Sequence, residues 1–142
     1  MIVVDANLLI YSYDSGSSNH AKARNWLERT LAGAEMVGLP WQSISAFVRI
    51  MTDSRLPGER FTAAKAVEVV SMWLDQSIVR VLVPGDGHWL LFRGMVVEGQ
   101  ASGPLVTDAQ IAALAVEYGG VLHTTDRDFA RFPGLRWVNP LT

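Results

Sequence analysis

The stretch Met1-Ile2-Val3-Val4-Asp5-Ala6-Asn7-Leu8-Leu9-Ile10-Tyr11-Ser12-Tyr13 changes character at an aspartate. Ile2 to Val4 is a β-branched run with the composition of a strand. Asn7 to Tyr13 carries apolar residues at helical spacing until Ser15-Gly16-Ser17-Ser18 breaks the pattern. The same unit recurs along the chain. Asn19 to Ala32 places Ala23, Trp26, Leu27 and Leu31 at helical steps, with Asn19 as the expected N-cap and Gly33 as the stop. Met36 to Leu39 reads as a strand ended by Pro40, and Trp41 to Thr52 as a helix ended by the loop Asp53 to Gly58. Thr62 is the expected cap of a helix with Ala66, Val67, Val70, Trp73 and Leu74 on one face, followed by a strand from Val79 to Val83. Farther on come a helix from His88 to Glu98, a loop from Gly99 to Pro104 and a helix from Ile111 to Tyr118. Strands follow at Val121 to Thr124 and Leu135 to Val138. Strands alternating with helices across short turns predict an α/β fold. Its core is a parallel sheet of four to five strands, covered by helices on both faces and joined by right-handed crossovers.

The length of 142 residues fits a single domain over 1–142, and 49% hydrophobic with 18% charged residues excludes a disordered chain. With no cysteine there is no disulfide framework, thiolate metal site or cysteine nucleophile. The longest mostly apolar stretch free of charge, Met36 to Val48, contains a proline and is shorter than a bilayer requires, so no membrane helix is expected. The opening lacks the basic start and apolar run of a secretory signal, and a cytoplasmic location is the expectation. The net charge of -2 combines 12 basic residues, all arginine except Lys22 and Lys65, with 14 acidic ones. If four acids gather in one cation-filled pocket, 12 basic residues face 10 acidic ones elsewhere, a surface able to attract an anion.

In open parallel sheets the ligand crevice lies beyond the carboxyl ends of the strands. Asp5 directly follows the first strand there, Asp126 and Asp128 follow Val121 to Thr124, and Asp108 opens a helix. Taken singly, each has an ordinary explanation. Asp5 and Asp126 are plausible N-caps, and Thr107 with Gln110 spells a capping box that would make Asp108 a first-turn acid. Taken together they are harder to dismiss, because carboxylates converging from separate segments repel and must either protonate or share a cation. Hard oxygen ligands of this kind suit Mg²⁺ or Mn²⁺, and the chemistry such a set serves is phosphodiester cleavage. Other chemistries lack their motifs. His20, His88 and His123 form no metal-binding pair and read as structural, Ser43 and Ser45 lack a nucleophile elbow, and no glycine-rich nucleotide loop is present.

These residues resemble the PIN-domain ribonucleases, and within them the VapC-type toxins of type II toxin–antitoxin pairs. The likeness runs from Val3-Val4-Asp5-Ala6-Asn7 through Val106-Thr107-Asp108-Ala109-Gln110 to Thr125-Asp126-Arg127-Asp128-Phe129, and on to Arg131-Phe132-Pro133-Gly134-Leu135 and Asn139-Pro140-Leu141. The resemblance implies a metal-dependent endoribonuclease that cleaves structured cellular RNA such as tRNA or rRNA and so inhibits translation and growth. Asp5, Asp108 and Asp126 match the metal-binding acids, Asp128 the auxiliary catalytic acid, and Asn7 and Thr125 the supporting polar positions. Mg²⁺ is the implied cofactor, with Mn²⁺ as substitute and no nucleotide cofactor. A homodimer and a VapB-type antitoxin lying over the acidic groove are the implied partners. One position departs from the family: Ala46 stands where a glutamate is usual, which implies weaker metal affinity and activity that is lower or more dependent on Mn²⁺.

Arg49, three residues past Ala46, reads as a phosphate contact, a partner of the acids in the metal-free state or a surface ion pair. Arg93, Arg127 and Arg131 are further candidates for RNA, each equally readable as a solvated charge. Two other functions stay open. One is a PIN-fold module, catalytically weak or inactive because of Ala46, that binds RNA or a protein. The other is an aspartyl-phosphate protein, for which Asp5-Ala6-Asn7 lacks the second acid and no lysine lies near a strand end.

Overall fold

The computed structural model describes residues 1–142. Strand β1 (Ile2–Val4) leads into helix α1 (Ala6–Tyr13) and then α2 (His20–Ala32). Strand β2 (Val37–Pro40) precedes α3 (Trp41–Met51) and α4 (Ala63–Leu74), and β3 (Val79–Leu82) precedes α5 (His88–Glu98) and α6 (Leu105–Glu117). The chain closes with β4 (Val121–His123), a 3-10 turn over Arg127–Arg131 and β5 (Trp137–Val138). The five strands form one sheet in the order β3-β2-β1-β4-β5, parallel throughout. The chain starts in the central strand, builds outward to β3 and then crosses to the other side, so the topological switch lies between β1 and β4.

Alternation along β1 explains the two layers. Val4 faces a core made with Leu8, Leu9, Trp26, Leu27, Phe47, Met51 and Trp73, while Val3 faces one made with Leu82, Met95, Leu122, Phe129 and the alanines of α6. Ala109, Ala112, Ala113 and Ala115 are fully buried, and their small side chains let α6 lie close to the sheet. In the first core, Phe47 sits with its ring centroid 4.7 Å from that of Trp73 and 5.6 Å from that of Tyr13, and Trp73 Nε1 donates to the Tyr13 hydroxyl at 3.1 Å.

Gly120 marks where the chain enters β4 against β1. A Cβ there would lie 2.6 Å from Val3 Cγ2 and 3.1 Å from the Met1 carbonyl. Gly120→Ala is therefore expected to destabilise the protein by about 1–3 kcal/mol. Urea denaturation would show this as a lower midpoint at unchanged slope.

The structure corrects several local expectations. Helix α6 begins at Leu105, six residues before Ile111, with Pro104 at the cap position. Proline's fixed φ suits a helix start, so Thr107 falls inside the first turn and the capping box is not made. Asn19 occupies the N-cap of α2 in a helical conformation without a side-chain bond, whereas Thr62 caps α4 by accepting from Lys65 N. The last strand is two residues long, because the turn at Gly134 (φ 75) delays pairing until Trp137. No helix is long and apolar enough to cross a membrane.

Candidate active site

The register of the sheet builds the site. Val4 pairs with His123, so the residues that follow, Asp5 and Thr124, leave the two central strands side by side at the switch point. The Asp5 backbone N–H donates to the His123 carbonyl at 3.1 Å. Asp5 is buried. One carboxylate oxygen accepts from Ala6 N at 2.8 Å, capping α1, and the other accepts from Thr124 Oγ1 at 2.7 Å. The capping and functional readings of this aspartate therefore hold together. Burial pushes its carboxyl above the ordinary carboxylate range, against the hydrogen bonds from Thr124 and Ala6, and the charge of Asp126 adds to the rise.

Thr124 is the hub, and sequence reasoning passed over it in favour of Thr125. Besides donating to Asp5, its fully buried hydroxyl accepts from Asp126 N at 3.0 Å and from Asn7 Nδ2 at 3.4 Å. Asn7 also donates to Thr125 Oγ1 at 3.0 Å, so the two supporting residues named from the sequence do meet. Its carbonyl oxygen Oδ1 is left buried without a partner. Asp126 accepts from Asp128 N at 2.8 Å and thereby caps the 3-10 turn. Strand alternation was the signal for Thr124, since Leu122 and Thr124 both point inward. Ser43 was also missed. It is buried in the first turn of α3 and donates to the Val4 carbonyl at 2.7 Å, anchoring that helix beside the end of β1.

Asp108 completes the group from the first turn of α6, where the helix dipole favours negative charge. Burial and then the charges of Asp5, Asp126 and Asp128 nevertheless push its carboxyl up to about 6, with only Arg131 acting the other way. The four aspartates thus share one electrostatic field, although no three of them stand close enough to form a ready-made metal cage. This donor set fits a cation such as Mg²⁺, which keeps several waters and needs only one or two carboxylates from the protein. The unpartnered Asn7 oxygen is the acceptor that such a hydrated ion would satisfy. Asp5, Asp108 and Asp126 are the carboxylates that could each supply a ligand to such an ion, though not all three as a preformed set.

Arg49 is exposed and forms no ion pair, so the pairing with the acids considered from the sequence is not made. The histidine side chains are engaged elsewhere: His20 bonds the Tyr11 carbonyl, His88 bonds Glu117, and the His123 ring packs on Trp26.

A family model described as PIN domain matches residues 2–135. Ribonuclease VapC33 of Mycobacterium tuberculosis is 36% identical over 141 residues, 99% of either chain. The chain belongs to the VapC branch of the PIN-domain family. VapC ribonuclease Mb2897 of Mycobacterium bovis is also 36% identical, over 99% of this chain and 96% of its own. Among solved structures, VapBC2 from Rickettsia felis superposes with a TM-score of 0.72 at 16% identity over 98% of each chain. The sarcin–ricin-loop-cleaving toxin VapC20 of Mycobacterium tuberculosis gives 0.67 at 20% identity over 96% of this chain and 99% of its own. At those identities the structural likeness speaks to the fold. For this VapC-family chain, Thr124→Val keeps shape but strips the hub of its hydroxyl. The expected cost is about 1–3 kcal/mol of stability for the groups left unsatisfied. Loss of a ligand-orienting partner should also lower divalent-cation affinity roughly 10–100-fold. Thermal melts with and without Mn²⁺ would measure both.

Proposed function

We propose that this VapC-family chain is a metal-dependent endoribonuclease acting as the toxin of a toxin–antitoxin pair. It cuts structured cellular RNA, such as tRNA or rRNA, to stop translation and growth, and a VapB-type antitoxin neutralises it. The observation that carries the reading is the shared field of Asp5, Asp108, Asp126 and Asp128 at the switch point, an arrangement costly to the fold unless a cation offsets it. The ribonuclease names of relatives aligned over nearly the whole chain support the activity. The VapBC complexes among the structural neighbours support the antitoxin.

Mg²⁺, or Mn²⁺ in its place, would supply an activated water and neutralise charge on the scissile phosphate. The chain's own part is orientation. Thr124 and Ala6 N–H fix the two oxygens of Asp5, Asp126 is set by the backbone bond to Thr124, and Asp128 is held two residues on, in the first turn of the 3-10 segment that Asp126 caps. Asp108 enters from the opposite segment, and its carboxyl, pushed above the ordinary range by burial and by the neighbouring aspartates, would be the ligand most relieved by a bound cation. A homodimer is part of the proposal, and the exposed apolar residues Trp89, Leu90 and Val97 of α5 supply surface for it.

Ala46 and the open spacing of the carboxylates favour a second reading, a PIN-fold module that binds RNA or a protein without cutting. Purified chain incubated with total cellular RNA in Mg²⁺, Mn²⁺ or chelator separates the two. Discrete cuts that need the metal and vanish in Asp5→Asn support the nuclease. A folded chain that is inert in every metal moves the binding module ahead.

A further inference from the structure

Arg131 ends the 3-10 segment whose first turn carries Asp128. Its Nη1 donates to the Gly99 carbonyl at 3.2 Å and to the Gln100 carbonyl at 3.3 Å, the backbone that ends α5. Gln100 is the one non-glycine residue with positive φ (51), and a Cβ on Gly99 would collide with the Phe132 ring at 2.7 Å, so the 3-10 segment is seated tightly on that end of α5. These contacts fix the guanidinium without neutralising it. Its Nε and Nη2 have no protein partner and no carboxylate lies within ion-pair distance, whereas Arg24, Arg55 and Arg60 are each paired with an acid. It is also the only cation acting on Asp108. Capping the helix C-terminus accounts for one nitrogen and leaves the rest of the fork without a partner, on the 3-10 turn that carries Asp128.

We propose that Arg131 is a substrate-binding residue that receives a backbone phosphate of the RNA next to the aspartates, so that the strand is held at the acidic site by a fixed positive charge. This deepens the ribonuclease reading and rests on it. Arg136 is the matched control: it too is exposed and tied to a carbonyl, Gly119 O at 2.8 Å, but it lies just before β5 and bonds the turn that leads into β4, rather than sitting beyond the end of β4.

The test uses a fluorescent oligouridylate bound to the full chain carrying Asp5→Asn, titrated at several salt concentrations in Mg²⁺. Adding Arg131→Gln should weaken binding about tenfold and reduce the slope of log affinity against log salt by about 0.7, the loss of one phosphate contact. Arg131→Lys should restore the slope, and Arg136→Gln should leave it unchanged. In the cleaving chain, Arg131→Gln should raise KM about tenfold with kcat within about twofold. An unchanged slope in Arg131→Gln, an equal loss in Arg136→Gln, or no recovery with lysine would overturn the proposal while cleavage by the unsubstituted chain keeps the nuclease reading. An unsubstituted chain that neither binds nor cuts RNA removes both.

Discussion

Asp108→Asn is expected to yield a protein that is more stable at neutral pH and has lost metal-dependent cleavage. The folded chain holds the Asp108 proton up to about pH 6, whereas an ordinary aspartate loses it near 3.8. Across that interval the native state binds more protons than the unfolded state, so stability falls as pH rises. The contribution is fully present below 3.8 and is lost once pH passes about 6. Because Asp108 is partly exposed and solvent screens it, the effect is on the order of 1–2 kcal/mol rather than the full value of the shift. Asparagine keeps the shape and removes the charge. Its melting temperature at pH 7 should rise by roughly 4 °C for each kcal/mol, and its profile between pH 4 and 7 should be flatter than that of the unsubstituted chain. Mg²⁺ should then raise the melting temperature of the unsubstituted chain and leave Asp108→Asn nearly unchanged, because only the former gains from binding. Cleavage should fall by more than the roughly 100-fold that loss of a ligand's supporting partner costs. A variant less stable at pH 7, or one that still cuts, would contradict this account of the site.

Phe47→Ala should have the largest effect on folding. The ring is fully buried among Trp73, Tyr13 and Phe61, with centroids at 4.7, 5.6 and 6.5 Å, and it ties α3 to α1 and α4. Truncation removes its transfer free energy and leaves a cavity that three stiff rings cannot close, for a cost of about 3–5 kcal/mol. Against a typical total of about 5–15 kcal/mol, that leaves a small margin. Phe47→Leu, which refills most of the volume, should cost less than half as much. Urea melts of the two variants would separate loss of packing from loss of the aromatic contacts.

How much of this was legible follows from what each feature depends on. The strands Ile2–Val4 and Val121–His123 declared themselves as β-branched or apolar runs beside glycine or aspartate, and the four aspartates stood out because each abuts a strand or helix end. Thr124 could not be preferred over Thr125 until the pairing of Val4 with His123 put it opposite Asp5, because which of two adjacent residues faces inward is a property of register. The start of α6 was misplaced because Thr107 and Gln110 imitate a capping box three residues inside a helix that proline begins. The position of Arg131 was invisible, since its anchors are backbone carbonyls 31 and 32 residues away.

The bond from Thr124 to Asp5 spans 119 residues and joins the first strand made to the fourth. During synthesis β1, α1 and the helices after them can begin to settle, but the centre of the sheet keeps an open edge until β4 arrives. The nascent chain therefore has Asp5 without its anchor and lacks Asp126 and Asp128 altogether. A chain whose proposed work is to stop protein synthesis cannot assemble its cutting site until β4 and the aspartates beyond it have left the ribosome, so the topology by itself delays the danger to the ribosome that is making it.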